Sequence, residues 1–221
     1  ARLNPTSMQG IVVASSDKSY GEYPRNKMPY KEDYPLIPKF PYDTSKACAD
    51  IIAQSYTSGF QCLPVVVTRF ANIYGPGQLN FSALIPDGIR SALGYSKFLP
   101  RGDGSMMRDF LYIEDVVELY IRIAETLSKD KKIIGQVFNA GTNSPKTVKE
   151  VLKEIFTSTG NLDDYNEILK LMENKTTLGE IDCQFMDYEK VKKYFDWDPQ
   201  HSFNIGILKT IEWYSRYLKD S

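Results

Sequence analysis

Three short runs of apolar, largely β-branched residues constrain what this chain can fold into. Gly10-Ile11-Val12-Val13-Ala14, Pro64-Val65-Val66-Val67-Thr68 and Val137-Phe138-Asn139-Ala140-Gly141 are continuous rather than alternating in character. An alternating run buries one face of a sheet. A continuous run buries both, as parallel strands do when helices cover either side. Between the runs the spacing turns helical. Tyr42 to Ser58 places Ala47, Ile51, Ile52 and Ser55 along one side, and Ile113 to Leu127 places Val116, Val117, Tyr120, Ile121 and Ala124 likewise. Strands alternating with helices predict parallel βαβ units with helices on both faces of the sheet.

The remaining elements follow from local chemistry. Asn72 to Gly77 carries the Gly and Pro of a turn, Leu84 to Leu93 reads as a helix, Lys97 to Pro100 as a short strand and Phe110 to Tyr112 as another. Thr147 and Glu150 make a capping box opening a helix to about Thr157. Asp163 to Asn174 is a polar helical stretch, Val191 to Tyr194 a short helix stopped at Trp197-Asp198-Pro199, and Phe203 to Leu218 an amphipathic helix. Ala1 to Pro5 reads as a helix end halted by proline, and no strand precedes Gly10–Ala14 to pair with it. The chain therefore reads as starting inside a fold.

Composition narrows the function classes. With 221 residues, 42% apolar content and a net charge of −1, there is ample core material and no basic excess, so nucleic acid is not an expected partner. No apolar run approaches the ~20 residues that span a membrane, and no charged segment with an apolar core opens the chain. The expectation is a cytoplasmic protein with no membrane partner. Cys48, Cys62 and Cys183 are odd in number without metal-like spacing, and read as reduced, partly buried thiols. His201 is the sole histidine, which excludes a histidine-rich metal site and argues against a Ser-His-Asp triad; it reads as a loop residue near Pro199.

The chemistry starts from Tyr42 and Lys46. Four residues apart on a helix, they project from one face. An ammonium that close would favour the phenolate and lower the tyrosine pKa towards the range of a general base. Ligands of open parallel sheets bind beyond the carboxyl ends of the strands. Ser15 to Lys18 and Asn72 to Gly77 both fall just past such ends, on one edge. On these grounds alone, each segment is equally readable as turn chemistry.

Four motifs in order go further: Ser15-Ser16-Asp17-Lys18-Ser19-Tyr20-Gly21, Tyr42-x-x-x-Lys46, Arg69-Phe70-Ala71-Asn72-Ile73-Tyr74-Gly75-Pro76, and Arg108-Asp109-Phe110-Leu111-Tyr112-Ile113-Glu114-Asp115. Together they resemble the extended short-chain dehydrogenase/reductase family of NAD-dependent nucleotide-sugar epimerases and dehydratases, down to the Trp197-x-Pro199 tail. The resemblance implies an α/β fold: the C-terminal part of a Rossmann-type parallel sheet with an interleaved smaller α/β substrate-binding domain. Residues 1–78 and 107–142 would form a partial dinucleotide-binding domain, and 79–106 and 143–221 the nucleotide-sugar domain.

By the same resemblance, Tyr42 would take the proton of the sugar 4-hydroxyl, Lys46 would bind the nicotinamide ribose and depress the Tyr42 pKa, and Ser16 would hold the same oxygen. Phe70 would touch the nicotinamide. Asn72 and Arg108 would hold the diphosphate, which suits the fixed donor fork of arginine. A short strand around Leu99 to Arg101 would lie against the nucleobase.

Asp17-Lys18 separates the branches of the family. Simple 4-epimerases carry small residues here, whereas 4,6-dehydratases carry an acidic pair, because loss of water across C5–C6 needs a base and an acid. Asp17 fits the acid. Lys18 stands where glutamate is usual and resembles the Ser-Asp-Lys of CDP-glucose 4,6-dehydratases, although the run from Arg108 to Asp115 resembles the generic pattern. A lysine base requires a pKa well below ~10.4.

No Gly-x-x-Gly-x-x-Gly or Gly-x-Gly-x-x-Gly occurs, so the pyrophosphate-binding segment is absent from the sequence, and with it the acidic residue choosing NAD over NADP. The expectation is an N-terminal truncation of roughly a hundred residues or more, at ~30 residues per βαβ unit, or else a natural half-protein, and a chain inactive alone. The readings are a 4,6-dehydratase, a 4-epimerase, and a non-catalytic sugar-nucleotide-binding or scaffold fragment. The family resemblance also implies a homodimer pairing helices that include Tyr42–Ser58.

Overall fold

The computed structural model describes residues 8–58, 62–173, 175, 176 and 179–220. In chain order the elements begin with β1 (Ile11–Ala14), α1 (Pro41–Ser55), β2 (Val65–Phe70), β3 (Asn72–Tyr74), α2 (Leu84–Ala92), β4 (Met107–Arg108) and β5 (Phe110–Tyr112). They continue with α3 (Ile113–Lys129), β6 (Val137–Ala140), β7 (Lys146–Thr147), α4 (Val148–Thr159), α5 (Leu162–Met172), β8 (Cys183–Gln184), α6 (Glu189–Phe195) and α7 (Phe203–Tyr217). The expected helix end at Ala1–Pro5 lies outside the described residues.

The three apolar runs form one parallel sheet in the order β1-β2-β6, with Val12 beside Val66 and Phe70 beside Ala140. Alternate side chains of a strand point to opposite faces. Val65 and Val67 accordingly pack with Ile11, Val13 and Ala53 of α1, while Val66 packs with Val12, Phe138 and the buried sides of α3 and α6. Both faces are covered, and the α/β reading of the sequence holds. A second core joins α2, α4, α5 and α7 through Ile89, Leu152, Ile155, Ile168 and Tyr214. Two small sheets lie between the cores, β3 paired with β5 and β4 flanked by β7 and β8. Asn72, Ile73 and Tyr74 of β3, Arg108 of β4 and Phe110 of β5 line the site described below.

Buried charge fixes α1 against the sheet. Arg69 donates to both Asp50 oxygens, at 2.7 and 3.0 Å, and its guanidinium lies 4.7 Å from the Tyr20 ring centre. The Tyr20 hydroxyl donates to Asn139 Oδ1 at 2.7 Å, carrying the network to β6. This pairing overturns the expected face of α1. Asp43, Ala47, Asp50 and Ala53 are buried, whereas Ile51 and Ile52 are each 57% exposed. Spacing of apolar residues could not reveal an aspartate turned inward to an arginine.

In α3 the buried side is Val116, Leu119, Ile123 and Leu127, so the expected Val117 and Ile121 point outward instead. The segment Lys97 to Pro100 forms no strand: Phe98 gives its N–H to Ser91 Oγ at 3.0 Å and Pro100 has none to give. Conversely, Asn72–Tyr74 is a strand, and the turn starts at Gly75, where a Cβ would lie 2.3 Å from Ile113 Cγ2. Cys183 is buried as expected, but Cys48 and Cys62 are exposed. Among the described residues no helix is long and apolar enough to cross a membrane.

Candidate active site

Past the end of β1, the chain turns into one 3-10 turn, Asp17–Tyr20. Ser16 caps it: its hydroxyl accepts the Lys18 N–H at 3.3 Å and donates to Asp17 Oδ1 at 2.9 Å. The cap holds Ser16, Asp17 and Lys18 in the lining of a cavity of about 640 Å³. Asp17 is 2% exposed, and among the described residues its Oδ2 has no hydrogen-bond partner.

Lys18 turns inward. Its ammonium donates to Gln184 Oε1 and lies 4.0 Å from Asp17 Oδ2. Burial lowers the Lys18 pKa from its ordinary value, and the Arg108 charge acts in the same sense. Asp17, Asp43 and Glu180 oppose them. Burial wins, which is the condition a lysine base requires. Asp43, buried on α1, adds a second carboxylate oxygen without a partner, and burial raises its pKa.

Tyr42 opens α1 behind Pro41, whose fixed φ suits the first helical position. Its hydroxyl is hydrogen-bonded to the side chain of Ser16. The expectation of a lowered pKa is not met here. Desolvation of the hydroxyl raises it, the Asp17 and Asp43 charges add to that, and the Ser16 bond only moderates it. The physical reason is placement. The Lys46 ammonium sits 5.9 Å from the centre of the Tyr42 ring and leans to the Ala14 carbonyl, 3.5 Å away.

All ten residues singled out in the sequence line this one cavity. Phe70 is buried, its ring centre 5.0 Å from that of Tyr120. The Asn72 amide donates to the Asp109 carbonyl at 3.1 Å. Arg108 is buried between β7 and β8, with Glu180 3.4 Å away at the surface. Leu99, 71% exposed, and Arg101, bonded to the Ser82 carbonyl at 3.4 Å, form the opposite rim as loop residues rather than strand residues.

Sequence reasoning missed Asp43, Tyr120, Glu180 and Gln184. Gln184 belongs to a two-residue strand with no periodicity to read, and Asp43 is an unspecified position within Tyr-x-x-x-Lys. His201 is a loop residue as read, but not an idle one. Its Nδ1 lies 2.9 Å from Asp115, which also accepts the backbone N–H groups of Gln200 and His201 and so ties the tail to the start of α3.

These residues suit one half of a dinucleotide. Lys46 keeps its ammonium on a single long bond beside the open cavity, next to Tyr42 and the wall of Phe70 and Tyr120. That is a donor and an apolar wall for a ribose and a nicotinamide ring. No glycine-rich turn in the sequence offers a cradle for the pyrophosphate. Among the described residues no cluster of His, Cys, Asp or Glu could hold a metal ion.

Residues 3–210 match the family described as GDP-mannose 4,6 dehydratase. The chain is similar to human dTDP-D-glucose 4,6-dehydratase, 32% identical over 208 residues, covering 94% of this chain and 57% of that protein. An Arabidopsis thaliana trifunctional protein, a UDP-glucose 4,6-dehydratase, 3,5-epimerase and reductase, is 32% identical over 207 residues, covering 93% of this chain and 29% of its own length. Among solved structures, dTDP-glucose 4,6-dehydratase of Bacillus anthracis in complex with NAD superposes with a TM-score of 0.80 at 34% identity, over 95% of this chain and 63% of that one. The chain thus spans less than two thirds of the length of each of these three proteins.

Proposed function

This chain belongs to the GDP-mannose 4,6-dehydratase family, and on that premise we propose that it carries the sugar-handling site of an NAD-dependent nucleotide-sugar 4,6-dehydratase. The observation carrying the reading is the juxtaposition of two proton-handling sets in one cavity, Ser16 with Tyr42 and Asp17 with Lys18. Relatives named as 4,6-dehydratases support it.

Lys46 and Phe70 would hold a nicotinamide, which would supply hydride acceptance at C4 and hydride donation at C6. The chain's own groups move protons. Tyr42, with Ser16 on the same oxygen, takes the proton of the 4-hydroxyl as C4 becomes a ketone. The flexible Lys46 stem allows its ammonium to approach and favour the phenolate this requires. The ketone then acidifies C5–H. Lys18, as a neutral amine, takes the C5 proton and becomes an ammonium. The C5–H electron pair forms the C5=C6 bond as the C6–O bond breaks. Asp17 serves as the acid that passes a proton to the departing oxygen, so water leaves. Lys18 returns its proton to C5 when C6 is reduced.

Arg108 and Asn72 hold the diphosphate in this reading, with Leu99 and Arg101 beside the base. A second copy of the chain, packed on the exposed side of α1, completes it. The test supplies a full-length protein that contains this chain with NAD and, separately, CDP-, dTDP-, UDP- and GDP-glucose. A 4-keto-6-deoxy product absorbing in alkali is expected from one of them, and Tyr42→Phe is expected to lower its rate by about 10²–10⁴-fold. A galactose isomer retaining its 6-hydroxyl would replace the reading with a 4-epimerase. Binding without turnover would leave a sugar-nucleotide-binding module.

A further inference from the structure

The site holds its lysine by an uncharged partner, and the hydrogen-bond directions around that partner are fixed. Gln184 is fully buried on β8, where its backbone pairs with Arg108 of β4. Its amide has two neighbours, Lys18 Nζ on one side and the Tyr30 hydroxyl, 3.5 Å away, on the other. Tyr30 is itself fully buried, and its one hydroxyl proton is given to the Gly21 carbonyl at 2.5 Å. The Tyr30 oxygen can then only accept, so Gln184 must turn its NH2 towards Tyr30 and its oxygen towards Lys18. Burial keeps the Tyr30 phenol protonated by raising its pKa. The backbone locks the arrangement, since the Tyr30 N–H donates to the Phe185 carbonyl at 3.0 Å and the Asp187 N–H to the Tyr30 carbonyl at 2.9 Å.

We propose that Gln184 is a positioning residue for Lys18: its oxygen aims the lysine nitrogen at the cavity through a bond that both the ammonium and the neutral amine can make. A primary amine keeps two N–H donors after losing a proton, so the contact does not require the charge. A carboxylate in the same place would pair with the ammonium and hold the proton on it. The charged groups around Lys18 are Asp17 on its own turn, Asp43 on α1, Arg108 on β4 and Glu180 on the segment leading into β8. Gln184 makes the direct contact without adding to that sum. The proposal rests on the reading of Lys18 as the base at C5, but it concerns a property measurable without turnover.

The experiment follows the Lys18 side chain by NMR in lysine-labelled protein, with its signal identified by its loss in Lys18→Met. Gln184→Glu, nearly isosteric, should raise the Lys18 pKa by about 1–3 pH units, as an opposite charge at contact does. Gln184→Met should leave the fold intact by backbone spectra while the Lys18 side chain gains fast motion and its pKa moves down. A Lys18 titration and mobility unchanged in both variants would overturn the proposal. If Gln184→Glu moves the titration while Lys18→Met turns over nucleotide sugar at the original rate, the positioning stands and the base assignment fails. If Lys18→Met abolishes turnover while both Gln184 variants leave Lys18 untouched, the base assignment stands and the positioning fails.

Discussion

Lys18 illustrates how one buried amine couples chemistry to stability. Its pKa in the folded chain lies below the unfolded value, through burial. Between those two pH values the folded chain binds fewer protons than the unfolded chain, so this group's contribution to stability rises with pH across that window. The sign is opposite to that of a lysine gaining a carboxylate partner. Thermal unfolding of wild type and Lys18→Met, compared through that window, should show the wild type gaining on the variant as pH increases; parallel curves would contradict the burial. Tyr42 carries the complementary lesson. Its place on one helix face with Lys46 was legible from Tyr-x-x-x-Lys spacing, but its pKa was not. That value depends on Asp17 and Asp43, which meet it only once the turn after β1 has folded against α1.

At the scale of elements, α1 depends on the Asp50–Arg69 pair. The two groups are almost fully buried, and a buried charge left without its partner costs about 3–5 kcal/mol. Asp50→Ala should therefore destabilise the chain by about that amount in denaturant unfolding. It should also loosen Tyr42, which the same helix carries two turns earlier. A loss below about 1 kcal/mol would show that water reaches Arg69.

The strands of the main sheet were readable because continuous apolar runs have few other uses, and α4 because Thr147 and Glu150 form the capping box as spelled. Helix faces were less so. The apolar residues of α1 and α3 do not all point inward, because Asp50 and Asp115 take interior places with specific partners. The two-residue strands β4, β7 and β8 leave no periodicity at all, yet they deliver Arg108 and Gln184. Eight of the ten candidate residues came from ordered motifs and Leu99 and Arg101 from a separate segment, whereas Gln184, Asp43 and Glu180 belong to none of those recognised positions.

For the whole molecule, the exposed side of α1 sets the next question. Ile51, Ile52 and Tyr56 form an apolar stripe on a helix whose other side is fully engaged. A second copy of the chain covering this stripe follows from the proposed function, and Ile52→Lys should then shift sedimentation from dimer to monomer. A wild-type chain sedimenting as a monomer at high concentration would remove that element of the reading.

The bond between Lys18 and Gln184 joins positions 166 residues apart. A ribosome adding about 5–20 residues per second takes about 8–33 s to cover that interval. For that time Lys18 exists without the partner that aims it, and Tyr30 without the strand that pins it. The nascent site is thus unfinished until the tail emerges, and a chain released early would contain most of the motif residues but none of the geometry that aims its lysine.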